Sequence, residues 1–93
     1  DATLSALSIG SQALSPVFAS STVTYTAETT NATNTVTAVP SDAGAEIEVL
    51  VNNLKIDNGS AATWQTGSNT VKVNVTAANG TAKKTYTVTV TKS

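Results

Sequence analysis

The sequence predicts an all-β sandwich, and three observations carry that prediction. Apolar and polar residues alternate along several short runs, which puts one strand face in a core and the other in water. Turn residues recur about every 8–12 positions, the spacing of short strands in sandwiches and barrels. Helical periodicity appears nowhere along the 93 residues. The pattern reads as about six to eight strands, and the lack of glycine-rich corners repeated along them favours a sandwich over a barrel.

Leu4, Leu7 and Ile9 open an irregular first strand over residues 4–9, ended by Gly10-Ser11. Leu14 and Phe18 are expected to plug one end of the core. Pro16 between them excludes a central ladder position, because proline has no amide hydrogen. A second strand covers residues 22–28, with Val23, Tyr25 and Ala27 inward among threonines. After the polar loop 29–33, a third strand over 34–39 turns Val36 and Ala38 inward. Pro40-Ser41-Asp42-Ala43-Gly44 is turn chemistry. A fourth strand over 45–51 carries Ala45, Ile47, Val49 and Val51 on one face and Glu46 and Glu48 on the other, with Leu50 interrupting the polar face. Asn52-Asn53 turns the chain, Leu54-Lys55-Ile56 is a short strand, and Asp57-Asn58-Gly59-Ser60 turns it again. Residues 61–65 hold Trp64, and Thr66-Gly67-Ser68 leads into the last hairpin.

That hairpin, residues 69–91, is the strongest signal in the chain. Val71, Val73, Val75 and Ala77 alternate with polar residues, as do Tyr86, Val88 and Val90, and Asn79-Gly80 lies between the two runs. A two-residue turn pairs Val73 with Tyr86 and Val71 with Val88. A four-residue loop pairs Val75 with Tyr86 and Val73 with Val88. Both keep the apolar sets on one face, whereas a one-residue slip exposes them all. The shorter turn sets Lys84 opposite Val75, so its ammonium must reach past the core to water.

Composition removes several classes of function. The net charge is −1, there is no Arg, and the five lysines (Lys55, Lys72, Lys83, Lys84 and Lys92) form no basic stripe, so nucleic-acid or anionic-membrane binding lacks its electrostatic footprint. The absence of Cys excludes disulfides and thiol chemistry, and without His as well most nucleophile–base pairs and zinc sites disappear. No apolar run approaches the ~18 residues of a membrane span. A chain without Cys but rich in Thr, Ser and Asn fits an exported bacterial or viral module. Starting at Asp1 and lacking Met, it is expected to be one domain, residues 1–93, cut from a longer multidomain protein.

Three stretches together resemble a known family: LSALSIGSQALSPVF, then VTYTA, then GSNTVKVNVTAANGTAKKTYTVTV. They are similar to the cadherin-like β-sandwich domain of bacterial surface proteins. Leu4, Leu7, Leu14, Ser15, Pro16, Phe18, Tyr25, Gly67, Asn69, Val75, Thr76, Ala77, Gly80, Tyr86 and Val90 stand at the family's motif positions. The chain departs from the pattern in its middle. Val51-Asn52-Asn53 replaces the usual valine-asparagine-glycine turn, and Trp64 stands where an aliphatic residue is more usual. The resemblance implies an immunoglobulin-like Greek-key sandwich of about seven antiparallel strands in two sheets. It also implies an extracellular, often tandem, non-enzymatic module, and it assigns no active site.

Candidate chemistry is sparse, and neither a catalytic residue nor a cofactor is expected. Glu46 and Glu48 share a strand face about 7 Å apart, but a glycosidase pair also needs a cleft. The acidic residues are scattered singly, so the six to eight oxygens of a calcium site are not expected, and no metal ligand is assigned. A lysine–asparagine isopeptide crosslink needs a buried lysine, and Lys72 falls on the wet face. Four sequons, at Asn31, Asn58, Asn74 and Asn79, matter only in a eukaryotic secretory setting. Trp64 has two readings. A core Trp64 fills space left by Ala27, Ala38 and Ala62, whereas an exposed one would mark sugar stacking. The expected role is therefore a structural or adhesive spacer or display module, outside the cell or on a bacterial surface. Its partners would be neighbouring domains of the same chain, or a glycan, host or cell-wall surface. The alternatives are a carbohydrate-binding module on a polysaccharide-active enzyme and a decoration or tail domain of a phage particle.

Overall fold

A computed structural model of the chain describes residues 2–10, 12, 14–15, 18–19 and 21–93. Pro16, with its expected strand-breaking role, lies outside the described residues. Eight strands form: β1 (Leu4–Ile9), β2 (Thr24–Thr29), β3 (Thr33–Pro40), β4 (Glu46–Val51), β5 (Leu54–Ile56), β6 (Ala61–Thr63), β7 (Gly67–Thr76) and β8 (Lys83–Lys92). They make two facing sheets, a three-stranded one in the order β1-β3-β6 and a five-stranded one in the order β2-β8-β7-β4-β5. This is the immunoglobulin-like sandwich, with eight strands where about seven were expected.

Alternation builds the core. Val71, Val73, Val75, Tyr86, Val88 and Val90 are each no more than 1% exposed and meet Leu4, Ile9, Val36 and Val49 between the sheets. Phe18 is half-buried at one end, its ring 5.8 Å from that of Tyr25 and 6.3 Å from that of Tyr86. Leu14 is also partly buried against the core. The hydroxyls of the two tyrosines are engaged. Tyr25 donates to the Ala19 carbonyl at 2.7 Å and accepts from the Ala19 amide at 3.1 Å. Tyr86 accepts from the Leu4 amide at 3.1 Å, tying the first strand to the last. Val23, expected inward, is instead 36% exposed, because it precedes the first paired residue of β2. Leu50 remains on the outer face, opposite Lys55 on one side and Lys72 on the other, whose methylene stems can cover it.

The hairpin takes the register of the shorter turn: Val73 faces Tyr86, Val71 faces Val88, and Val75 faces Lys84. Its connection is nonetheless longer than two residues. The Ala77 amide donates to the Ala82 carbonyl and the Gly80 amide to the Ala77 carbonyl, both at 2.8 Å. Asn79 Oδ1 accepts from the Thr81 and Ala82 amides at 2.9 and 3.2 Å. Residues 78–81 thus form the loop without shifting the ladder. Lys84 escapes the core by laying its ammonium 5.6 Å from the centroid of the Tyr86 ring.

One pairing departs from the antiparallel expectation: β2 runs parallel to β8, from Thr24 beside Thr87 to Thr29 beside Lys92. The chain therefore begins in one sheet and crosses to the edge of the other. On β3, the edge beyond β6 is closed by a side chain. Asn58 accepts from the Ala38 amide at 2.9 Å and donates to the Ala38 carbonyl at 2.7 Å, standing in for a strand.

The β4–β5 turn places both Asn52 and Asn53 at positive φ, 51° and 69°, as a two-residue type I′ hairpin demands. Asn tolerates this region, and Gly occupies it without strain. Asn53→Gly is expected to stabilise the domain by about 0.5 kcal/mol. The measurement is a rise in urea midpoint at unchanged m-value; no rise would mean that the Asn53 side chain contributes more than its strain costs.

Candidate functional site

The outer face of the five-stranded sheet is a broad polar surface. Register aligns Thr24 with Thr87 and Lys72, Thr26 with Thr89 and Thr70, and Glu28 with Thr91 and Ser68. Glu46 and Glu48 stand on β4 beside Thr76 and Asn74. Both glutamates are exposed. The Asn74 amide donates to Glu48 at 3.0 Å and accepts from the Thr85 hydroxyl at 2.7 Å. A shallow depression of about 250 Å³ lies between Glu46, Glu48, Lys55 and Asn74. Carboxylates on an open, solvated strand lack the enclosure that acid–base catalysis requires, so this arrangement hydrates the surface. Lys72 is exposed here, as its strand phase requires.

Trp64 lies elsewhere, just after β6, and is only 5% exposed. Its indole Nε1–H donates to Asn34 Oδ1 at 2.9 Å, and its backbone amide donates to the Ala32 carbonyl at 3.0 Å. The same Asn34 oxygen accepts from the Thr29 hydroxyl at 3.0 Å. A sugar-stacking residue needs an open ring face, which Trp64 does not offer.

Asn69 is the polar centre that alternation alone does not announce. It shares the inward phase of Val71, Val73 and Val75 and is fully buried. Its oxygen accepts from the Gln65 amide and from Asn52 Nδ2, each at 2.9 Å. Its nitrogen donates to the carbonyls of Gln65 at 2.9 Å and of Gly67 and Val90 at 3.2 Å. Asn52 in turn accepts from the Thr70 amide at 2.9 Å. The network pins the β6–β7 connection to the β4–β5 turn and to β8. The signal for it was a lone Asn in phase with valines. With these partners, Asn69 serves architecture rather than a ligand.

Further hollows lie elsewhere on the surface. An apolar groove of about 260 Å³ separates the short edge strands, lined by Val51, Leu54, Ile56 and Ala62 among others, with Leu54 70% exposed. A polar hollow of about 640 Å³ lies between Gln12, Ser15, Glu28 and Thr91. Among the described residues, no three His, Cys, Asp or Glu side chains gather where they could hold a metal ion. Nor is any helix among them long and apolar enough to cross a membrane.

Sandwich topology and the buried positions together define an immunoglobulin-like domain whose clustered side chains are structural. The profile of the family described as "Cadherin-like beta sandwich domain" matches residues 4–93, and the chain belongs to that family. No curated protein matches the chain.

Proposed function

We propose that this domain is a non-catalytic spacer or display module of a secreted or bacterial surface protein. The observation that carries the reading is the placement of its ends. Strands β1, β2 and β8 all run from one pole to the other. Ala2 therefore lies at the pole of loops 41–45 and 77–82, and Ser93 at the pole of turn 52–53. The body is 40 × 24 × 17 Å, longest along the strands. A chain entering at one pole and leaving at the other holds its neighbours apart by that length. Family membership supports an extracellular, structural role, and the polar threonine face suits water on both flanks of such a rod. The burial of Trp64 removes the feature that favoured a carbohydrate-binding module.

The test fuses a folded reporter domain to each end and measures their separation by small-angle scattering. Reporters held on opposite sides, at a distance set by the 40 Å axis, are expected. Reporters packed side by side would overturn the spacer reading.

A further inference from the structure

We propose that the domain is a tension-bearing clamp, built to resist force applied between its two ends. This deepens the spacer reading in one respect only: the biological use of the clamp rests on that reading, while its mechanics rest on the strand directions.

The first and last strands of the five-stranded sheet are hydrogen-bonded neighbours and run the same way. Six consecutive residue pairs join them, from Thr24 with Thr87 to Thr29 with Lys92. The ladder extends past both ends, where the Thr87 amide donates to the Val23 carbonyl at 2.7 Å and the Ser93 amide to the Thr29 carbonyl at 3.0 Å. Tension on the chain ends loads β1 and β8 directly, and once β1 slides from β3 it draws β2 toward one pole and β8 toward the other. In a parallel pair the ladder hydrogen bonds bridge the strands at even spacing, though slanted, so a load along the strands shears them together. A peeling force would meet them one at a time.

Slippage offers no easy escape. A one-residue slide turns Tyr25 and Ala27, 1% and 4% exposed, out of the core. A two-residue slide keeps the faces but carries Tyr25 away from its stack on Phe18. The entry to β2 is fastened by the Tyr25 hydroxyl on both backbone groups of Ala19. Antiparallel to β3, β1 is loaded along its axis in the same way, with Leu4, Leu7 and Ile9 buried and its first residue held by Tyr86.

Forced unfolding reads the unfolding barrier rather than the equilibrium stability, so direction of pull isolates the claim. The experiment is single-molecule force spectroscopy on the domain in two attachments. One pulls through handles at the two chain ends. The other pulls through cysteines introduced by Ser21→Cys and Ala82→Cys, exposed positions at one pole, which peels β2 from β8. Matching thermal midpoints confirm that both forms share one fold. The end-to-end rupture force is expected to be severalfold the higher of the two at the same loading rate. Equal forces, or a weaker end-to-end rupture, would overturn the clamp and leave the spacer reading untouched. That reading stands or falls on the reporter separation.

Discussion

Replacing Asn69 by alanine is expected to destabilise the domain by about 3–5 kcal/mol, a large part of the 5–15 kcal/mol typical of whole domains. The side chain is fully buried and makes five hydrogen bonds, two accepted and three donated. Truncation takes this partner from the Gln65 amide and from the Gln65, Gly67 and Val90 carbonyls; the bond to Val90 is fully buried and the others partly so, and a buried polar group left unpaired costs about 1–3 kcal/mol. It also frees Asn52, which holds a positive-φ turn, so the loss spreads from β7 into the β4–β5 hairpin. Asn69→Asp offers no rescue, because an oxygen would face three carbonyls where an amide now donates. Urea denaturation followed by circular dichroism checks both variants. A loss under about 1 kcal/mol for Asn69→Ala would mean that water takes over the amide's partners.

The elements legible in the sequence are those whose signal is local. Alternation assigns faces, and the faces of β3, β7 and β8 were correctly read because each strand is long enough to repeat the pattern. Register was legible only as two choices. Asn79-Gly80 fixes a turn without fixing how many residues join it, and the loop uses four while keeping the shorter turn's pairing. Partnerships between strands far apart in sequence carry no such signal. Nothing in Tyr25 or Ala27 says that the neighbour is β8, or that it runs parallel. Asn58 was legible as a turn residue but not as the group that closes the edge of β3, since that depends on where Ala38 arrives.

At the candidate site the legible part was strand phase. Glu46 and Glu48 fall where alternation put them, exposed on β4. The one ambiguous residue was Trp64, and the reason is physical. Only three residues of β6 precede it, too short a run to establish a phase. Its burial is decided by Asn34, thirty positions away in sequence, which supplies the acceptor a buried indole needs.

The second large effect is therefore Trp64→Ala, expected to destabilise the domain by about 3–5 kcal/mol through the cavity left by the indole. Trp64→Phe keeps part of that volume and gives up the hydrogen bond to Asn34, so a smaller loss of about 1–2 kcal/mol is expected. The two losses should differ in that order, because packing and not the polar contact is the larger contribution. As the only Trp in the chain, Trp64 reports on itself. Native emission should be blue-shifted and resist acrylamide quenching, and both properties should vanish on denaturation. The decisive contrast uses a glycan array beside the melts. A core residue predicts a lowered midpoint and no change in array signal on truncation. An unmoved midpoint with array binding lost in Trp64→Ala would place the indole at a sugar-binding surface instead, because only an accessible ring can be removed without leaving a hole.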